Sequence, residues 1–190
     1  IVPLATLAVV RRLTQLPGVH VAVVSGRSAA DAFRMTGVDS AWIIGNHGFE
    51  VRPPHGAIST IAEVGAYEES IAKAASVLDA AARAVPGTLV ENNRWTLTLH
   101  HRLADPRDSA ALIERAKDLA RELRLRTTVG KRVLELRPPL DVNKGTAAQA
   151  FADRVGALQQ GSMLYAGDDQ TDEDAFRALR SFERRAVTVR

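Results

Sequence analysis

Three short apolar runs, each passing directly into a polar loop, limit what this chain can fold into. They are His20-Val21-Ala22-Val23-Val24 before Ser25-Gly26-Arg27, Ala41-Trp42-Ile43-Ile44 before Gly45-Asn46-His47-Gly48, and Ser162-Met163-Leu164-Tyr165-Ala166 before Gly167-Asp168-Asp169. Runs this short and continuous predict strands buried on both faces, as in a parallel sheet sandwiched by helices. Helical segments accompany them. Leu7, Val10 and Leu13 make a stripe that Leu16-Pro17-Gly18 ends. Ser28 with Asp31, and Thr171 with Asp174, are capping patterns, and another helix opens near Lys144.

The middle of the chain alternates instead. Trp95, Leu97 and Leu99 interleave with Thr96, Thr98 and His100, and Leu134 and Leu136 flank Glu135. That period predicts strands with one apolar and one polar face. The stripes Ile71-Ala74-Ala75-Leu78 and Leu112-Ala116-Leu119-Leu123 predict two amphipathic helices to cover the apolar side. Pro53-Pro54 and Pro138-Pro139 bracket the segment. The expected architecture is an α/β core, residues 1–53 and 139–190, interrupted by an inserted open-faced α+β domain at 54–138. The chain starts at Ile1 and ends on Val187-Thr188-Val189-Arg190, which reads as a strand, so both ends are expected to be cut from a longer polypeptide.

Composition removes several function classes. The chain has no cysteine, which excludes disulfides and thiolate metal sites and is compatible with a cytoplasmic setting. No apolar run approaches the roughly 20 residues of a membrane span. The 25 basic and 22 acidic residues are dispersed. The arginine-rich stretch from Arg121 to Arg132 has no interleaved aromatic residue, so it reads as a solvated face and not as a nucleic-acid surface.

Ligands of open α/β sheets bind past the carboxyl ends of the strands. Ser25-Gly26-Arg27 offers a hydroxyl, a glycine and a following helix N-terminus, which suit an oxyanion such as phosphate; a plain turn capped by Ser28 is the simpler reading. Asp168 and Asp169 follow a strand directly. Crowded carboxylates there call for a cation, and hard oxygen donors favour Mg²⁺. Asp172, Glu173 and Asp174 lie in a first helical turn, where acids also favour the helix dipole. Lys144 opens a helix, where it suits a phosphate, a carboxylate partner or plain solvent.

The order of these signals resembles the haloacid dehalogenase superfamily: strand then Ser-Gly-Arg, lysine at a helix start, strand then Gly-Asp-Asp. Further runs narrow the resemblance to the trehalose-6-phosphate phosphatases. They are Gly45-Asn46-His47-Gly48-Phe49-Glu50, Val90-Glu91 leading to His100-His101-Arg102, Gly130-Lys131 leading to Glu135-Leu136-Arg137-Pro138, Asn143-Lys144-Gly145, and Gly167 through Phe176. Asn93 stands where many relatives have lysine, and His101 where tyrosine is usual.

The resemblance implies a haloacid-dehalogenase-like core with a cap domain. It also implies a Mg²⁺-dependent phosphatase acting on a sugar phosphate, trehalose 6-phosphate, through an aspartyl-phosphate intermediate. Ser25 and Lys144 would be catalytic. Ser25, Gly26, Arg27, His47, Glu91, Arg102 and Glu135 would bind substrate, and Asp168, Asp169 and Asp172 would serve the metal. A trehalose-phosphate synthase domain, fused or bound, is a possible companion. The family's first motif, Asp-x-Asp-Gly-Thr, belongs before Leu4, yet no aspartate precedes Asp31, so the chain alone is expected to lack its nucleophile. The alternatives are another sugar-phosphate phosphatase, acting on sucrose phosphate or mannosylglycerate phosphate, or a non-catalytic sugar-phosphate-binding module.

Overall fold

The computed structural model describes residues 2–180, 182 and 185–190. The chain divides into two compact units, Ile1–Thr60 with Asp141–Arg190, and Ile61–Leu140.

In the first unit, helix α1 (Leu4–Leu13) precedes β1 (Ala22–Val24), α2 (Ala29–Thr36) and β2 (Trp42–Gly45). A short 3-10 turn at Asn46–Gly48 leads to β3 (Glu50–Arg52) and β4 (Ser59–Thr60). β1 and β2 are parallel, while β3 and β4 return antiparallel, giving the order β1-β2-β3-β4. This hairpin moves the unit boundary beyond the expected residue 54: the chain turns at His55-Gly56 and comes back to pair Ser59 with Val51.

The other half of this unit holds helix α5 (Lys144–Arg154), α6 (Ala157–Gln160), β9 (Met163–Ala166), α7 (Asp172–Arg180) and β10 (Ala186–Val189). β9 and β10 form a separate parallel pair. Helix α5 packs on α7 and also touches β1. Ala148, Tyr165, Ala175, Phe176 and Leu179 form a cluster that Val24 joins. The expectation of fully buried strands holds for Ala41, Ile43 and Ile44 at β2 and for Tyr165 in β9, but not along the whole of each run. β1 is half-buried throughout, and Leu164 in β9 is 69% exposed. Among the described residues, each of these strands pairs with a neighbour on one side. Helix α1 forms as its stripe predicts, yet buries none of its residues.

The second unit begins with a 3-10 segment (Ala62–Tyr67) and helix α3 (Glu68–Ala82). Strands β5 (Leu89–Asn92) and β6 (Leu97–His100) follow, then α4 (Pro106–Glu122), β7 (Arg126–Gly130) and β8 (Val133–Arg137). Asp105 starts α4 by accepting the Arg107 amide at 2.7 Å, with Pro106 in the first turn, where its missing N–H costs nothing. The strands form one antiparallel sheet, order β5-β6-β8-β7. One face, with Leu97, Leu99, Leu134 and Leu136, packs on Ile71, Leu78, Leu112 and Leu119 of the helices. Each such side chain contributes roughly 1.5–3 kcal/mol on burial. Strand β7 runs through the arginine-rich stretch read above as a solvated face. It is an edge strand whose Arg126, Thr127 and Val129 are exposed, which is why it carried no apolar signal.

Candidate active site

The outer edges of β1 and β9 face a cavity of about 1090 Å³. Residues 19–22 and 24–26 line one wall and residues 161–169 the other, with Ala148, Phe151 and Ala152 of α5 between them. Both strands run the same way along it. Val19 and Gly161 lie at one end with Val155, while Ser25, Gly26, Lys144, Asp168, Asp169 and Asp172 gather at the end where the strands finish. Six of the expected site residues therefore converge on one place. Arg27 and His47 do not line the cavity.

The Ser25 loop is held by its neighbour. The Ser25 amide donates to Ile44 O at 2.9 Å, and its carbonyl accepts the His47 amide at 3.0 Å. The Asn46 amide donates to Arg27 O at 2.7 Å. His47 is buried, in a left-handed conformation with φ 59°. Its ring lies on Gly26: a β-carbon there would meet His47 Cε1 and Nε2 at 2.8 Å. His47 thus shapes the loop from behind.

The expected helix N-terminus is not an open anion seat. The Ala29 amide donates to Glu50 Oε2 at 2.5 Å, and the Asp31 amide to Ser28 Oγ at 3.2 Å. Two of the amides at the start of α2 thus already have acceptors, and Ser25 Oγ itself accepts the Arg27 amide at 3.1 Å. Sequence reasoning quoted Glu50 without assigning it this task; a buried acid three residues past a Gly-Asn-His turn was the available signal.

Lys144 and Asp172 form a buried ion pair. Asn143 caps α5, accepting from Gly145 N at 2.8 Å and Thr146 N at 3.0 Å, and so sets Lys144 as the first helical residue. Lys144 Nζ donates to Asp172 Oδ1 at 2.8 Å, each side chain 6% exposed. Of the sequence alternatives for Lys144, a solvated surface lysine is excluded. Tyr165 OH donates to the same oxygen at 2.7 Å, and Asp169 N to Asp172 Oδ2 at 2.9 Å. Burial pushes the Asp172 carboxyl up, but these three donors outweigh it and hold its pKa below the usual aspartate value. Burial, then Asp172 itself, pushes the Tyr165 phenol up. The other acids of this turn face outward: Asp174 pairs with Arg177 at 2.6 Å and Glu173 with Arg190 at 3.1 Å. Gly167 is required because a β-carbon there would sit 2.4 Å from Asp172 Cγ.

Asp168, Asp169 and Asp172 each present a carboxylate oxygen within 4.8 Å of the others. Asp168 and Asp169 are exposed. All-oxygen, mostly hydrated donor sets of this kind fit Mg²⁺.

The sheet of the second unit carries a polar row on the face opposite its core. Glu91 lies across from Thr98, Thr98 from Glu135, and Glu135 from Thr128. His100 Nε2 lies 2.9 Å from Glu91 Oε2. Glu91 and Glu135 thus lie on one row, on either side of Thr98. Arg102 is not with them: β6 stops at His100, and Arg102 occupies an exposed turn. Strand alternation therefore does not reach it. Arg132 holds that turn, its Nη2 donating to the carbonyls of His101 at 3.3 Å and Ala104 at 3.0 Å.

No helix among the described residues is long and apolar enough to cross a membrane. The chain is 37% identical over 179 residues to the trehalose-phosphate phosphatase of Mycobacterium avium (strain 104), covering 93% of this chain and 45% of that one. It is 38% identical over 164 residues to an uncharacterised glycosyl hydrolase of Mycobacterium tuberculosis (strain H37Rv), covering 84% of this chain and 12% of the relative. The chain thus spans less than half the length of both. The solved structure of a trehalose-6-phosphate phosphatase related protein superposes with a TM-score of 0.84 at 24% identity, over 98% of this chain and 75% of the other, and shows the shared fold. A family profile described as trehalose-phosphatase matches residues 2–190, and the chain belongs to that family.

Proposed function

We propose that the chain belongs to a Mg²⁺-dependent phosphatase that hydrolyses trehalose 6-phosphate. The observation that carries this reading is the convergence of Ser25, Lys144 and Asp168 at one end of the cavity between β1 and β9. A hydroxyl, an ammonium and open carboxylates in one cleft are what a phosphomonoester needs: a donor to its oxygens, a fixed positive charge, and a cation seat. Ser25 donates to a phosphoryl oxygen. Lys144, held by Asp172, faces the same group with its remaining donors. Asp168 and Asp169 would hold Mg²⁺, which would supply charge neutralisation for the phosphoryl group. Gly26 lets the loop backbone approach, while Arg27 and His47 support the loop. Glu91 and Glu135 accept from sugar hydroxyls on the polar row of the second unit, which makes that unit the substrate-selecting cap. Arg102 would contribute only from its turn.

The attacking group is an aspartate of the Asp-x-Asp motif, forming an aspartyl-phosphate, and it comes from outside these residues. The test is phosphate release from trehalose 6-phosphate, with Mg²⁺, by a polypeptide that adds the first motif to this chain. Turnover is expected there and not from the 190 residues alone. Lys144→Ala and Asp168→Asn should each lower it by about a hundredfold or more, as loss of one electrostatic group at a reacting centre does. Near wild-type rates for both variants at low Mg²⁺ would overturn the assignment.

A further inference from the structure

Tyr165 belongs to none of the roles above, yet it is the third member of the buried cluster at the cavity end. It is 7% exposed on β9, and its ring meets Phe176 edge-on at 5.8 Å and 87°. At 2.7 Å its hydroxyl donates to Asp172 Oδ1, the oxygen that also accepts Lys144 Nζ at 2.8 Å. The opposite oxygen takes the Asp169 amide at 2.9 Å.

We infer that Tyr165 is a positioning residue for Lys144, acting through Asp172. A lysine has a long flexible stem and three rotatable donors, so one carboxylate partner fixes its charge only as well as that carboxylate is itself fixed. A carboxylate turns freely about its last bond unless both oxygens are engaged. Here Tyr165 holds one oxygen and the Asp169 backbone the other, so the plane of Asp172 is set before Lys144 joins it. The ammonium is then presented at one place beside Ser25. The same arrangement separates two jobs within one acidic loop. Turning Asp172 toward a cation breaks at least one of three hydrogen bonds, two of them buried, which is costly. Asp168 and Asp169, both exposed, have no such tie from their carboxylates to Lys144, and metal duty falls on them. This inference rests on the phosphatase reading only for the purpose of Lys144; the positioning itself is a property of the chain.

The experiment uses the 190-residue chain and the conservative variant Tyr165→Phe, which keeps the ring and removes the hydroxyl. The first readout is the ¹⁵N-resolved ammonium signal of Lys144 in cold solution, identified by its loss in Lys144→Met. A held ammonium exchanges protons slowly and gives a sharp signal. Tyr165→Phe is expected to broaden or remove it, with the far-ultraviolet circular dichroism unchanged. Asp172→Asn is the second variant and should act in the same way. The second readout is a double-mutant cycle on the unfolding midpoint. Tyr165→Phe should shift it less in the Lys144→Met background than in wild type. A sharp Lys144 signal surviving in Tyr165→Phe, or equal midpoint shifts in both backgrounds, would overturn the inference. Adding inorganic phosphate to the wild-type chain tests the other matter: an unmoved Lys144 signal counts against the phosphate-binding role, whatever Tyr165 does.

Discussion

The imidazole of His47 fills the space that a β-carbon on Gly26 would need, 2.8 Å from two of its ring atoms. Gly26 lies in the connection from β1 to α2, and His47 in the turn between β2 and β3.

Gly26→Ala should therefore destabilise the first unit by about 1–3 kcal/mol, the usual effect of forcing a methyl into filled space. His47→Ala in the same chain should recover most of that loss. Urea unfolding of the two single variants and the double variant checks it. A double variant no more stable than Gly26→Ala would mean that something other than the ring resists the methyl.

Glu50 accepts the first amide of α2 while nearly buried. Glu50→Ala should cost about 1.5–3 kcal/mol, as expected for a buried hydrogen bond to a charged group. Hydrogen exchange at Ala29 and Ala30 should speed up more than exchange in the second unit. Uniform acceleration across both units would show that the effect is not local to this helix.

In the second unit, Leu134 and Glu135 are sequence neighbours on opposite faces of β8. Leu134→Ala should cost about 2–5 kcal/mol of stability, because it opens a hole in the core. Glu135→Ala, at a half-buried position on the polar face, should cost less, about 1 kcal/mol. On the proposed function, Glu135→Ala and Glu91→Ala should instead depress turnover of trehalose 6-phosphate much more than turnover of a small generic phosphate ester. Site groups built to bond a hydroxyl discriminate strongly when one is lost. Equal losses on the two substrates would remove these residues from sugar recognition.

Burial, helped by the positive charges of Arg132 and His100, holds the His101 imidazole below its ordinary pKa. The unfolded chain takes up this proton first as pH falls, near the ordinary value of about 6.5. The contribution is therefore a loss of stability that begins below that value and grows until pH passes the lowered native one. Above it the group contributes nothing. The urea midpoint of the second unit, followed by Trp95 fluorescence in a Trp42→Phe background, should fall as the medium is acidified. His101→Gln should flatten that fall, and an unchanged slope would assign the pH dependence elsewhere.

The amphipathic helices α3 and α4, the paired leucines of β6 and β8, and the three loops at strand ends were legible because period and position encode them. Strands β3, β4 and β7 were not. Each is short or carries polar side chains, and its backbone pairing has no pattern that side chains announce. Lys144 illustrates the limit at the site. Its helix-start position was readable, but its burial depends on Asp172, twenty-eight residues on, and on Tyr165. Arg102 is the converse case: the resemblance implied a substrate role beside Glu91 and Glu135, yet it lies past the end of β6 in a turn tied by Arg132.

The second unit, Ile61–Leu140, lies in sequence between the two halves of the first. Bringing Thr60 and Asp141 to their places in one unit requires closing that span. For a disordered segment of this length the entropic cost is on the order of 4 kcal/mol, beyond a constant. A segment already folded on its own core presents its two ends at a settled separation, and most of that cost disappears. The inserted sheet is built from contacts local to the insertion, whereas β1 and β9 depend on residues from both ends of the chain. Refolding should accordingly run inside out. In pulsed hydrogen exchange, the amides of α3, α4 and β6 should gain protection before those of β2 and α5.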